Sequence, residues 1–155
     1  MSRGLLARGC LLFTAGALFA GGARGAREIG FAERVAAERA IARVYYAHQI
    51  DATRPFEEAV PQAVLEGSVR RSLAQSAALA SYWGAPLDED ALRTEMARIA
   101  RDTRFPDRLR EIYAALGYDA PLVEESLARR SLADHRARER FARDPRIHRE
   151  ARREA

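Results

Sequence analysis

Apolar residues recur at three- and four-residue steps along most of the chain after residue 26. Between Glu28 and about Gln49 the recurring positions are Phe31, Val35, Ile41, Val44, Tyr45 and His48. That spacing places them along one stripe of an α-helix. No stretch of useful length alternates with a period of two, and Ala, Leu, Arg and Glu, which favour helices, are abundant. The pattern therefore predicts helices and no strands.

The segment from Asp51 to Val60 interrupts the pattern and predicts a loop. Pro61 suits the first turn of a second helix, because its missing N–H costs nothing there. The stripe of this helix is Leu65, Val69, Leu73, Ser76, Leu79 or Ala80, and Trp83. Gly84 and Pro86 end it, and Gly67 in its interior weakens the first half by about 1 kcal/mol relative to Ala.

The third helix has the clearest start, with Asp88 as its N-cap and Leu87 placed to pack onto Leu92. Glu89 and Asp90 follow in its positive first turn. Its apolar face continues through Met96 and Ile99.

Two more helices follow. Pro106 opens a short fourth helix, with Leu109, Ile112, Tyr113 and Leu116 inward. Gly117 is expected as its C′ residue in the left-handed conformation. Asp119 and Pro121 begin a fifth helix that carries Leu122, Val123, Leu127 and Leu132 and ends at Pro145.

Five amphipathic helices with short connections predict one all-α domain. Residues 26–144 form this helical domain, and residues 145–155 form a charged C-terminal tail. The stripes are narrow and rich in Ala, so the expected core is modest.

Residues 1–25 predict a secretory signal peptide. Arg3 and Arg8 supply a positive start, an apolar stretch runs from Cys10 to Ala20, and small residues follow. Cleavage is expected after Gly25, with Gly22 or Ala23 as alternatives. The apolar stretch is shorter than the ~20 residues that span a bilayer. The chain is therefore expected to be exported, periplasmic or secreted, with no stable membrane anchor after cleavage.

Charge at first suggests an anionic partner, since 26 basic residues stand against 22 acidic ones. All the basic residues are Arg, and three of them lie in the predicted signal peptide. The remainder is uneven: residues 26–128 carry a net charge of −4 and residues 129–155 one of +5. In the basic part, acidic residues interrupt the arginines and Phe141 is the only aromatic. This arrangement is typical of an ion-paired helix surface rather than a nucleic-acid site, and no nucleic acid is expected as a partner.

The residue patterns of known catalytic and metal sites are absent from the sequence. His48, His135 and His148 are the only imidazoles, and none has metal-ligand spacing. We expect His48 to be a hydrogen-bonded histidine in the core or at its boundary. The sequence after residue 25 has no Cys, no Gly-x-Ser-x-Gly and no Gly-rich phosphate loop. No catalytic residue, metal or cofactor is predicted, and an enzyme is disfavoured.

The aromatic residues divide into two groups. Tyr45 and Trp83 lie on apolar stripes and are expected in the core. Tyr46 and Tyr82 point off those stripes, and exposed aromatics beside a shallow apolar groove would suit an extended peptide.

The order of segments from Val64 to Asp144 resembles the N-terminal helical region of SurA-type, parvulin-family envelope chaperones. A helix, VLEGSVRRSLAQSAALASYW, runs into the turn GAPLDED and then into a second helix, ALRTEMARIA. A short helix ends in AALGYD, and a long arginine-bearing helix, APLVEESLARRSLADHRARERFARD, follows. The resemblance covers about 80 residues and rests on helix order and spacing, with GAPLDED and ALGYD as its best local segments.

The resemblance implies a periplasmic helical region that holds polypeptide. No parvulin catalytic domain follows Asp144, so isomerase activity is not carried over to any residue. The positions that would line a peptide-binding cradle are Leu79, Trp83, Leu92, Met96, Tyr113 and Leu116.

Two functional hypotheses follow from the sequence. In the first, the exported domain binds unfolded or extended polypeptide without catalysis. In the second, it is a structural or interaction module, either the N-terminal part of a larger secreted protein or a subunit that pairs through its last long helix. The oligomeric state stays open.

Overall fold

The computed structural model describes residues 27–153, and the side-chain surroundings of residues 27–149. Within this range the chain is all-α, which confirms the predicted fold class. The helices are α1 (Phe31–Ala47), α2 (Phe56–Ala59), α3 (Gln62–Ser81), α4 (Glu89–Asp102), α5 (Pro106–Ala115), α6 (Ala120–Val123), α7 (Arg129–Arg143) and α8 (Pro145–Arg153). A π-helical turn, Glu124–Ala128, joins α6 to α7. The predicted signal peptide, residues 1–25, lies outside the described residues.

Local signals set the starts of α4 and α6 as predicted. The Asp88 carboxylate accepts a hydrogen bond from the Ala91 N–H at 2.8 Å, and Asp119 accepts one from Leu122 at 3.2 Å. Leu87, just before the α4 cap, shares a buried cluster with Leu92. These caps satisfy N–H groups that have no partner inside the helix.

The end of α5 has the geometry that its sequence predicts. Gly117 has a φ of +65°, and its N–H donates to the Ala114 carbonyl at 2.9 Å. The Tyr118 N–H donates to the Tyr113 carbonyl at 2.8 Å. This pair of bonds is the Schellman motif, which requires a left-handed residue after the helix. Glycine adopts that conformation without the steric penalty that other residues incur.

Two helical segments lie where none was predicted. The short helix α2 falls inside the expected loop, and α8 occupies residues 145–153 of the expected charged tail. Asp144 explains the second case, because its carboxylate accepts a hydrogen bond from the Arg146 N–H at 2.9 Å while Pro145 fills the first helical position. The sequence pair Asp-Pro is thus a helix start that the weak apolar pattern concealed.

Asp144 also ties α8 to the end of α3. Its side chain is buried and accepts a hydrogen bond from the Trp83 indole N–H at 2.9 Å. The Arg146 guanidinium donates to both carboxylate oxygens and lies over the Tyr82 ring, 4.4 Å from its centroid. The Arg146 guanidinium, the Arg146 N–H and the Trp83 indole together hold the pKa of Asp144 far below its usual range.

The buried residues form three small clusters. The first joins α3, α4 and the α7 region through Leu79, Leu87, Leu92, Ala128, Leu132 and Ala133. The second joins α1, α5 and α6 through Ala37, Ile41, Ile112, Leu116 and Val123. The third joins α1 to α3 through Val35, Leu65 and Val69. Met96 packs against both the first and the second cluster.

The π-helical turn lies where the long C-terminal helix passes from the second cluster to the first. Val123 belongs to the second cluster, whereas Ala128 belongs to the first. A π-helical turn contains an extra residue relative to an α-helical one, and so it rotates the buried face of the helix. Among the described helices, none is long and apolar enough to cross a membrane.

Candidate functional site

A groove of about 1080 Å³ opens where α1, α3, α5 and α7 approach one another. The end of α4 and the π-helical turn complete its walls. The apolar part of its lining includes Ile41, Tyr45, Ile99, Phe105, Leu109 and Leu127. Its hydroxyl and amide groups include those of Ser68, Ser72, Gln75, Thr103, Ser126 and Ser131. Its volume slightly exceeds the roughly 300–1,000 Å³ typical of small-molecule sites.

Aromatic side chains line the end of the groove that the last turn of α1 forms. Tyr45 is 52% exposed, so its predicted place in the core is wrong. It lies one turn beyond Ile41, which is the last fully buried residue of α1. The Tyr46 hydroxyl donates to the Arg54 carbonyl, and its ring meets Phe56 edge-on at 5.6 Å. The short helix α2 therefore holds one wall of the groove in place.

Two buried polar side chains lie deeper in the groove. Glu38 is buried and pairs with Arg130 at 2.5 Å. Ser126 is also buried, with 9% of its surface exposed. Its Oγ has no hydrogen-bond partner within the described structure. Both residues also line an adjoining cavity of about 20 Å³, which has room for about one water molecule.

An ion-pair network fixes the π-helical turn beside Ser126. Glu125 accepts from Arg34 of α1 at 2.6 Å and from Arg129 of α7 at 2.7 Å. Burial alone would raise the pKa of the Glu125 carboxyl, but the hydrogen bonds and charges of the two arginines outweigh it and lower that pKa. The network thereby holds Ser126 at a constant place relative to α1.

A second buried carboxylate anchors α4 to α7 behind the groove. Glu95 accepts from the Arg98 guanidinium at 2.6 and 2.8 Å, and from the Ser131 hydroxyl at 2.6 Å. The hydrogen bond from Arg98 is the main reason that the pKa of Glu95 lies below its usual value; burial opposes it, and Ser131 reinforces it. Ser131 itself lines the groove, so this contact positions one of its hydroxyl groups.

His48 closes the α1 end of the groove. Its Nε2 lies 2.7 Å from an Oε atom of Glu111 on α5, and its side chain is partly exposed. The expected hydrogen bond is present, but His48 is exposed and does not lie in the core.

The six positions predicted to bind peptide lie in the interior clusters. Leu79, Leu92 and Leu116 are buried. Trp83, Met96 and Tyr113 are half-buried and pack against the first two clusters, and burial raises the pKa of Tyr113. None of the six lines the groove. A chain lying in the groove would therefore not touch them, and their role in binding stays a prediction.

The groove residues carry weak signals in the sequence. Tyr46 carries one such signal, because it points off the apolar stripe of its helix. Phe105 lies at a helix break, where an exposed aromatic before Pro106 is a usable sign. Arg71 and Arg108 could not be separated from the other arginines without the fold.

Within residues 27–149, no group of three or more His, Cys, Asp or Glu side chains is placed to hold a metal ion. Comparison of the chain with known protein families, curated proteins and solved structures finds no match.

Proposed function

We propose that this protein is an exported helical domain that holds extended, non-native polypeptide segments in the groove, without catalysing a reaction on them. The observation that carries the proposal is the lining of the groove. Apolar side chains such as Tyr45 and Leu109 line it together with hydroxyl and amide groups such as Ser72 and Gln75. Apolar walls bury side chains of the bound segment, while the polar groups satisfy its backbone N–H and C=O groups.

Export is part of the proposal and rests on residues 1–25. A positive start, an apolar stretch of roughly a dozen residues and small residues before Gly25 form the pattern of a cleaved secretory signal. The resemblance of residues 64–144 to the helical region of SurA-type chaperones supports the same compartment and the same class of ligand.

A light-scattering assay tests the holding function. A chemically denatured client is diluted into buffer with a several-fold molar excess of the purified protein, and aggregation is followed over time. We expect the protein to suppress scattering, because it buries apolar segments that would otherwise associate. An unchanged scattering curve would contradict the proposal and would favour the structural or interaction module instead.

A matched pair of variants assigns the activity to the groove. Tyr45→Ser removes a groove aromatic, and Tyr82→Ser removes a tyrosine of similar exposure (52% and 48%) that does not line the groove. We expect Tyr45→Ser to weaken suppression and Tyr82→Ser to leave it unchanged, provided that both variants retain the helical circular dichroism of the parent. Equal loss in both variants would place the activity elsewhere on the surface.

A further inference from the structure

Two arginines of the groove have no carboxylate partner. Arg71 of α3 and Arg108 of α5 both line it, and neither forms an ion pair within residues 27–149. The Arg108 guanidinium lies over the Phe105 ring, 4.7 Å from its centroid, and this contact uses none of its N–H groups as hydrogen-bond donors.

Their neighbours on the same helices are paired. Arg70 binds Glu66 at 2.8 Å, and Arg110 binds Asp107. Neither Arg70 nor Arg110 lines the groove. The unpaired guanidinium charge of α3 and α5 is therefore concentrated on the groove and not spread evenly over the two helices.

Buried donors add to this charge. The Nε of Arg108 is buried without a hydrogen-bond partner in the described part of the chain, as is the Oγ of Ser126. An unsatisfied buried polar group costs about 1–3 kcal/mol, so such groups are normally paired. A guanidinium only donates hydrogen bonds, whereas a hydroxyl both donates and accepts them. The ligand group that complements the two arginines is therefore a hydrogen-bond acceptor, and their positive charge favours an anionic one.

We propose that the groove selects polypeptide segments in which acidic side chains lie next to aromatic or aliphatic ones, with Arg71 and Arg108 as the groups that receive the carboxylates. This inference rests on the proposed function and names the class of segment that is held. Guanidinium–carboxylate hydrogen bonds are among the strongest available to a protein surface. Phe105 and Leu109, which are close to Arg108 in the sequence and also line the groove, supply apolar contacts for the aromatic or aliphatic side chains of the bound segment.

The polar groups along the groove favour a polypeptide over a fatty acid. Ser68, Ser72 and Gln75 follow one another along the α3 side of the groove, and Ser131 lies on the α7 side. Gln75 and Ser131 already donate to Asp134 and Glu95. An alkyl chain would leave the Ser68 and Ser72 hydroxyl groups without a partner in the groove, whereas a peptide backbone offers a donor and an acceptor at each residue.

Fluorescence anisotropy with three matched peptides tests the inference. Each peptide is a blocked pentamer with a neutral fluorophore, two Phe and one Leu, and its two polar positions are both Gln, both Glu or both Arg. We expect the Glu peptide to bind about tenfold more tightly than the Gln peptide, and the Arg peptide to bind least. The preference for Glu should shrink as NaCl rises from about 50 to about 500 mM, because salt screens exposed charges.

Neighbouring arginines provide the controls. Arg71→Gln and Arg108→Gln should each weaken binding of the Glu peptide about threefold to tenfold and change binding of the Gln peptide less than about twofold. Arg70→Gln and Arg110→Gln, on the same helices, should leave both affinities unchanged.

The outcomes separate the two levels of the proposal. Equal binding of the Glu and Gln peptides, or equal effects of Arg70→Gln and Arg71→Gln, overturns the selection and leaves the holding function standing. Failure of all three peptides to bind overturns the holding function as well. Displacement of the Glu peptide by octanoate at an equal concentration would assign the groove to small amphipathic acids and contradict the inference.

Discussion

Replacing Leu79 tests most directly whether the first buried cluster forms part of the hydrophobic core. It was a candidate for peptide binding, yet its side chain is fully buried where α3 meets α4 and α7. Leu79→Ala removes three buried carbon atoms, and at about 0.8 kcal/mol per carbon the lost transfer free energy is about 2.4 kcal/mol. The cavity that remains raises the cost, so we expect the free energy of unfolding to fall by about 2.5–5 kcal/mol.

Urea denaturation followed by far-UV circular dichroism measures this loss. Because a domain of this size is typically stable by about 5–15 kcal/mol, the variant should still fold, with a lower midpoint and an unchanged slope. Val64→Ala, on the same helix but 58% exposed, is the matched control and should change stability by less than about 0.5 kcal/mol.

Two results would refute this placement of Leu79. A loss below about 1 kcal/mol with an unchanged slope would mean that Leu79 is not in a packed interior. A normal stability combined with weaker peptide binding would restore it as a binding residue.

Three further predictions concern the backbone, the ion pairs and α8. Gly67→Ala should stabilise the protein by about 0.4–1 kcal/mol, because the residue lies in mid-helix and an added Cβ meets nothing within 4 Å. Gly117→Ala should destabilise it by about 1–2 kcal/mol, because its φ of +65° is unfavourable for any residue with a Cβ. Thermal denaturation of both variants checks the opposite signs. The lowered pKa of Glu125 means that its ionised form stabilises the fold above its ordinary pKa near 4.5, and that this contribution is lost as pH falls through the lower folded value. Urea unfolding between about pH 7 and pH 3 should therefore show a flatter pH dependence for Glu125→Gln, and an identical slope would contradict the network. Asp144→Ala should shift the fluorescence of Trp83, the only tryptophan, to longer wavelength, because the indole loses its hydrogen-bond acceptor and α8 loses its cap. An unchanged spectrum would argue against the contact between Trp83 and Asp144.

The helix boundaries that could be predicted from the sequence are those set by neighbouring residues. Asp88 and Asp119 cap the helices that follow them, and Gly117 ends α5, because capping involves only a few adjacent backbone groups. α8 was missed because it has little apolar face, although Asp144 and Pro145 mark its start.

The groove could not be predicted in the same way. Tyr45 continues the apolar stripe of α1, so its position in the sequence predicts burial. It is exposed because the neighbouring helices do not cover this part of α1. Whether an arginine is paired also depends on its neighbours in space. Arg70 and Arg71 are adjacent in sequence, but Arg70 pairs with Glu66, whereas Arg71 lines the groove. The π-helical turn adds one residue to a long helix, so the side chains after it point in directions that a regular helical period does not predict.

Site-specific photo-crosslinking tests the central claim most directly. A benzophenone amino acid replaces either Phe105, which lines the groove before α5, or Tyr118, which is exposed after the end of the same helix and does not line it. Each variant is irradiated with a denatured client, and cross-linked peptides are identified by mass spectrometry. Binding in the groove predicts client cross-links from position 105 and few from position 118. Equal cross-linking from both positions, or cross-linking from position 118 alone, would contradict it.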